Sequence, residues 1–194
     1  IYSVSFVLIM PFIQLYTADI TDANYYNPLL GMLFVLNALL YNLKTPQGML
    51  IISAGHYKET RLQVTIQGSI AALSGMVFAL RLGLSGVLLG LILSNLYRDI
   101  ALLFYIPSKI TDLRVFITIK KIICMGVEIG VIILPFKYIH INCNNYYEWI
   151  RYGILVTAYA SIIVMVIGGI NNKKEMQGIW ERIKTMTEKK CGII

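Results

Sequence analysis

The chain has 194 residues, of which 57% are hydrophobic and 14% charged, and its mean hydropathy is +0.69. A water-soluble domain carries about a quarter charged residues, so these charges are too few to cover an aqueous surface, and lipid must replace water around much of the chain. The formal charge of +7 does not point to nucleic acid, because the basic residues punctuate apolar runs and form no single basic patch.

Taken in order, the apolar runs predict an all-α, polytopic bundle of six membrane-spanning helices. A bilayer core takes about 20 helical residues to cross. Residues 1–16 are free of charge and carry Pro11, a kink site; Asp19 and Asp22 follow in an acidic turn that ends in tyrosines. The chain opens on Ile1 inside this apolar run, without a basic segment and small-residue cleavage site, which reads as the C-terminal part of a longer protein and not as a signal peptide. The second span is expected over 27–54, running past Lys44 and Pro46, where proline kinks or ends a helix. A polar connector, GHYKETR, separates it from a third span over 62–80. Arg81, Leu82 and Gly83 make a tight turn into a fourth span over 84–106. After PSKITDLR comes a fifth, over 115–136, with Lys120 and Lys121 near its start and Glu128 near its middle. A polar, aromatic loop leads to the sixth, over 149–170. Residues 171–194 form a basic tail in which Ile179, Trp180, Ile183 and Met186 alternate at helical spacing with Glu181, Arg182, Lys184 and Lys189, as in a helix lying on an anionic leaflet.

Alternating the connectors between the two faces sorts the cations. With Lys44 assigned to the second connector, all 17 Lys and Arg except Arg81, Lys137 and Arg151 fall on one side, which the positive-inside rule makes cytoplasmic. Both ends of the chain are therefore expected in the cytoplasm.

Cysteine and metal chemistry point nowhere. Cys124, Cys143 and Cys191 are odd in number and have no paired spacing, and His140 with Cys143 makes no closed metal site. No paired carboxylates, nucleophile elbow, zinc signature or nucleotide loop is present, so no enzyme activity and no cofactor is expected.

Polar groups within the spans are costly and become the functional candidates. Asn37 and Asn42 in the second span and Gln67 in the third either join neighbouring helices or line a sugar-conducting cavity. Asn95, Arg98 and Asp99 share one face of the fourth span. Arg98 either forms a local ion pair with Asp99 or offers its guanidinium fork to a diphosphate. Glu128 reads as a satisfied or protonated carboxyl, or as a coupling site. His56, Lys58 and Arg61 with Glu59 mark a cytoplasmic connector that sets topology or gates the loading side. Gly83, Gly86 and Gly90 lack the strand that a nucleotide site needs; Gly86 and Gly90 have the small-xxx-small spacing that lets membrane helices approach closely.

Three stretches, MPFIQLYTADITDANYYNP, TPQGMLIISAGHYKETR and LGLSGVLLGLILSNLYRDI, resemble the polysaccharide-transport branch of the MOP flippases, whose superfamily includes the MATE drug exporters. The likeness rests on Pro11-Phe12-Ile13 before an acidic turn, on Ala54-Gly55 through Thr60, and on Gly83 through Gly90, in that order. Relatives often carry an acidic residue where this chain has Gln67. The resemblance implies a two-lobed, repeat-built transporter of which these would be the last six helices. It also implies flipping of a lipid-linked oligosaccharide across the bacterial plasma membrane, with membrane lipids and other polysaccharide-assembly membrane proteins as partners. Three alternatives remain: a drug or cation antiporter of the same fold, an integral membrane glycan polymerase or ligase, and a non-transporting scaffold. The longest outward loop, about a dozen residues, is short for a catalytic domain.

Overall fold

A computed structural model describes residues 1–18, 27–111, 115–137, 143 and 145–171. The Asp19–Asp22 turn, His140, Cys191 and the basic tail lie outside the described residues. Among the described residues six α-helices follow one another: α1 (Tyr2–Tyr16), α2 (Pro28–Ser53), α3 (Tyr57–Leu82), α4 (Leu84–Ile106), α5 (Val115–Ile133) and α6 (Tyr146–Asn171). No strand is found among the described residues, and the chain is an all-α helix bundle.

Four of these helices, α2, α3, α4 with the π-helical turn that extends it to Thr111, and α6, are long and apolar enough to cross a membrane. Six spans were expected. The 15 residues of α1 fall short of a full crossing, and the 19 residues of α5 include Lys120, Lys121 and Glu128. Large apolar side chains face outward along the spanning helices, with Leu73 67% and Leu80 84% exposed. A surface of that kind is stable against hydrocarbon and not against water.

Local rules explain the helix ends. The Asn27 side chain accepts the Leu30 N–H at 3.2 Å, and Pro28 follows at the first helical position, where its missing N–H is no loss. At the far end Gly55 adopts φ +77°, the His56 N–H reaches the Ile51 carbonyl and the Gly55 N–H reaches that of Ile52. That paired closure is a Schellman motif, and its left-handed residue favours glycine. It reduces the connector to three residues, Ala54, Gly55 and His56, so most of the expected GHYKETR loop is the first turn of α3. Pro46 does not end α2, which continues to Ser53. Lys44, assigned above to a connector, is therefore an intrahelical residue roughly two and a half turns from the helix end. The PSKITDLR connector shrinks likewise, since Pro107–Thr111 form the π-helical turn.

The helices α2, α3 and α4 pack as one block. Between α3 and α4 the chain turns on Gly83 alone, at φ +57°, and the two helices return antiparallel in backbone contact. A Cβ on Gly90 would lie 2.5 Å from the Gly75 nitrogen, and one on Gly86 would collide with the Phe78 carbonyl. The Ser74 hydroxyl reaches the Gly90 carbonyl at 3.3 Å, and the Ser94 hydroxyl reaches the Gln67 carbonyl at 2.9 Å. Glycine spacing thus becomes a stripe along α4, at 86, 90 and 94, that lies directly on α3. A second group is formed by α1, α5 and α6. The Trp149 indole donates to the Leu8 carbonyl at 3.2 Å, one turn before Pro11, and its ring packs 5.3 Å from Phe12. Phe136 meets Tyr159 edge-on at 5.7 Å.

Replacing Gly90 with leucine should destabilise the protein in detergent by about 1–3 kcal/mol, because the obstacle is backbone and cannot rotate away. Gly68→Ala, at a site on α3 with no neighbour in reach of a Cβ, should be neutral or slightly stabilising. Chemical unfolding of the two variants in micelles checks the contrast, and equal losses would contradict the close approach.

Candidate functional site

The register set by the glycine stripe carries the polar residues of α4 to the junction of three helices. Asn95 is 6% exposed and is the hub. Its amide nitrogen donates to Asn37 Oδ1 on α2 at 2.8 Å. Its oxygen accepts from Lys44 Nζ on α2 at 2.5 Å and from Gln67 Nε2 on α3 at 3.3 Å. One amide therefore ties three helices, using both its donor and its acceptor. Lipid offers these groups no competing partner, so each needs another polar group inside the protein.

One turn further along α4, Arg98 is also 6% exposed. It donates to Gln63 Oε1 on α3 at 2.8 Å. It does not pair with Asp99, the local ion pair considered from the sequence. Consecutive helical residues point about 100° apart and do not face each other, so Arg98 turns to α3 and Asp99 turns elsewhere. Asp99 is 9% exposed, and neither carboxylate oxygen has a hydrogen-bond partner; Gln47 Oε1 on α2 is the remaining buried, unpartnered side-chain oxygen among the described residues.

Beside this junction lies a pocket of about 310 Å³, lined by Lys44, Gln67 and Arg98 together with Tyr41, Thr45 and apolar groups. Two cations and an amide thus border a cavity on helices long and apolar enough to cross a membrane. The Lys44 ammonium also sits 4.7 Å from the Tyr41 ring centroid, a cation–π contact.

Of the residues expected in a substrate pathway, Asn37, Gln67 and Asn95 come together, and Arg98 and Asp99 adjoin them. Asn42 stands apart: it is exposed and its amide folds back to its own helix, at the Ala38 carbonyl. Lys44 and Gln63 belong to the site but were missed. Lys44 is seven residues from Asn37, two helical turns on the same face, a signal that the helix expected over 27–54 already carried. Gln63 is four residues before Gln67 on α3, the same relation as Asn95 to Asp99.

The three residues considered for the connector are separated by the fold. His56 Nδ1 lies 2.8 Å from Glu59 Oε2 and 3.1 Å from the Tyr105 hydroxyl, and that hydroxyl donates to the same carboxylate oxygen. The triad fastens the α2–α3 connector to the end of α4. Lys58 and Arg61 are exposed on the opening turns of α3. Glu128 on α5 lies outside the cluster, half-buried, with the Cys124 thiol one turn away. No group of three or more metal-ligating side chains is found among the described residues.

Comparison of the chain with protein-family models, with curated proteins and with solved structures finds no match.

The hub makes a quantitative demand. Asn37 and Asn95 should show a coupling of about 0.6 kcal/mol, with an upper end near ~1.7, the range for interhelical hydrogen bonds in membranes. A double-mutant cycle with alanine at both positions, read by unfolding in micelles, measures it. Asn42→Ala should show no coupling to position 95.

Proposed function

We propose that the chain forms part of a bacterial plasma-membrane transporter that flips an undecaprenyl-diphosphate-linked oligosaccharide to the outer face for cell-surface polysaccharide synthesis. The observation that carries this reading is the pocket bordered by Lys44 and Arg98 within the membrane helices. Ionisable groups at that depth are expensive and are retained for substrates, ions or partners. Here both cations hydrogen-bond neutral amides, Asn95 and Gln63, and so keep charge available for an anionic ligand. A guanidinium fork and an ammonium suit the two phosphates of a lipid carrier.

In this reading the oligosaccharide occupies a polar cavity while the lipid tail stays in the bilayer. Transport then needs alternating exposure of the cavity and no bond-making. In this reading the connector with His56, Lys58 and Arg61 faces the cytoplasm, where cations collect, and so lies on the loading side. The two cations on the pocket favour an anionic headgroup over the dyes that a drug exporter takes. Further helices beyond these six would complete the cavity, as the resemblance to the polysaccharide-transport flippases implies.

Cells lacking the gene should accumulate lipid-linked repeat units on the cytoplasmic leaflet. Arg98→Ala should export them roughly tenfold more slowly or worse, the cost of about 1.4 kcal/mol or more of lost charge-assisted bonding, while still assembling in the membrane. Leaflet-resolved labelling of the repeat units measures both effects. Normal export without the gene, alongside dye retention, would favour the drug-exporter reading.

A further inference from the structure

The charges of the junction are mismatched in a way that the hydrogen bonds do not explain. Two cations, Lys44 and Arg98, each donate to a neutral amide. The single buried carboxylate beside them, Asp99, accepts from nothing. Asn95 and Asp99 are one helical turn apart on α4, about 6 Å along the axis, and Lys44 is bonded to the first of them. The long lysine side chain therefore has two acceptors on one face of α4, and in this conformation it occupies the neutral one.

Charge balance selects among the ways to satisfy Asp99. A bound metal cation would add a third positive charge to a cluster that already has two. Lys44 is the cation already bonded one turn away, at Asn95, and it has room to move, because it borders the 310 Å³ pocket together with Thr45 and Gly48. Two residues on, Pro46 donates no hydrogen bond to the Asn42 carbonyl, so α2 lacks one rung beside Lys44 and bends there at low cost.

We propose that Asp99 is the pocket's internal counter-ion, which takes Lys44 when the pocket is empty and yields it when an anionic ligand enters. Resting on the transport reading above, this makes Asp99 a positioning residue that weakens anion binding by competing for the ammonium. A substrate that must be released on the far side benefits from such competition, since the site then regains its own anion as the ligand leaves. In the conformation shown here Lys44 is on Asn95, and the exchange requires the ammonium to swing one helical turn along α4.

Binding of inorganic pyrophosphate to the purified full chain in micelles tests the proposal on four proteins: wild type, Asp99→Asn, Lys44→Gln, and the double variant. Asp99→Asn removes an unpartnered buried charge and Lys44→Gln keeps a donor for Asn95, so both should fold, and unfolding in micelles checks this. Asp99→Asn should bind roughly tenfold tighter than wild type, within the usual span of coupled sites. Lys44→Gln and the double variant should bind equally weakly, because without the ammonium nothing is left to compete for. Equal affinity of wild type and Asp99→Asn would overturn the proposal, meaning that the carboxyl is neutral, for instance donating to Gln47. So would the same tightening on the Lys44→Gln background, since Asp99 would then act without Lys44. Absence of pyrophosphate binding in all four would overturn it together with the anion reading of the pocket. Oligosaccharide export, measured separately in cells, keeps the failure of the transport reading distinguishable from failure of the counter-ion.

Discussion

Backbone contact between α3 and α4 is the constraint on which the rest of the block depends. Lipid tails are as apolar as leucine, so membrane helices gain little from hydrophobic burial and associate through close packing and hydrogen bonds instead. Gly86 and Gly90 present no Cβ to α3, and the helices close until Gly90 rests on Gly75. That approach fixes the register of two antiparallel helices along their whole length. Ser94 is then opposite Gln67 and Arg98 opposite Gln63. A bulky residue in the stripe would separate the helices and displace the polar side chains at their far ends together.

Register alone would leave the amides of α3 and α4 facing a third helix, and α2 meets them with Asn37 and Lys44. The Asn95 amide bonds to both of these and to Gln67. Each bond is worth little by itself. Their shared dependence on one side chain makes the junction specific, because helices sliding by one turn would orphan several groups at once. The remaining helices are attached differently. Trp149 and Phe12 join α6 to α1 through an aromatic contact and an indole hydrogen bond, and the amide-mediated contacts between helices found among the described residues are concentrated in the α2–α4 block.

That concentration gives the site its chemical character. Neutral amides can hold a guanidinium and an ammonium in place without discharging them, whereas a carboxylate partner would neutralise them. Lys44 and Arg98 are held by amides and Asp99 has no hydrogen-bond partner, and charge acts strongly where the dielectric is low.

The helical content, the membrane-spanning character and the bounds of α4 were legible in the residues, because a charge-free run of sufficient length has few other stable fates in lipid. The spacing of Gly86 and Gly90 announced a close approach, and Asn37, Gln67, Asn95, Arg98 and Asp99 stood out as polar groups in apolar runs. The partners did not. Whether Asn42 or Lys44 entered the site depended on which face of α2 meets α4, and local rules do not decide that. Adjacent numbers suggested pairing Arg98 with Asp99, while helix geometry turned them apart. Sequence determined which groups could not remain in hydrocarbon alone; only the packing of three helices, set by two absent side chains, decided which of them met.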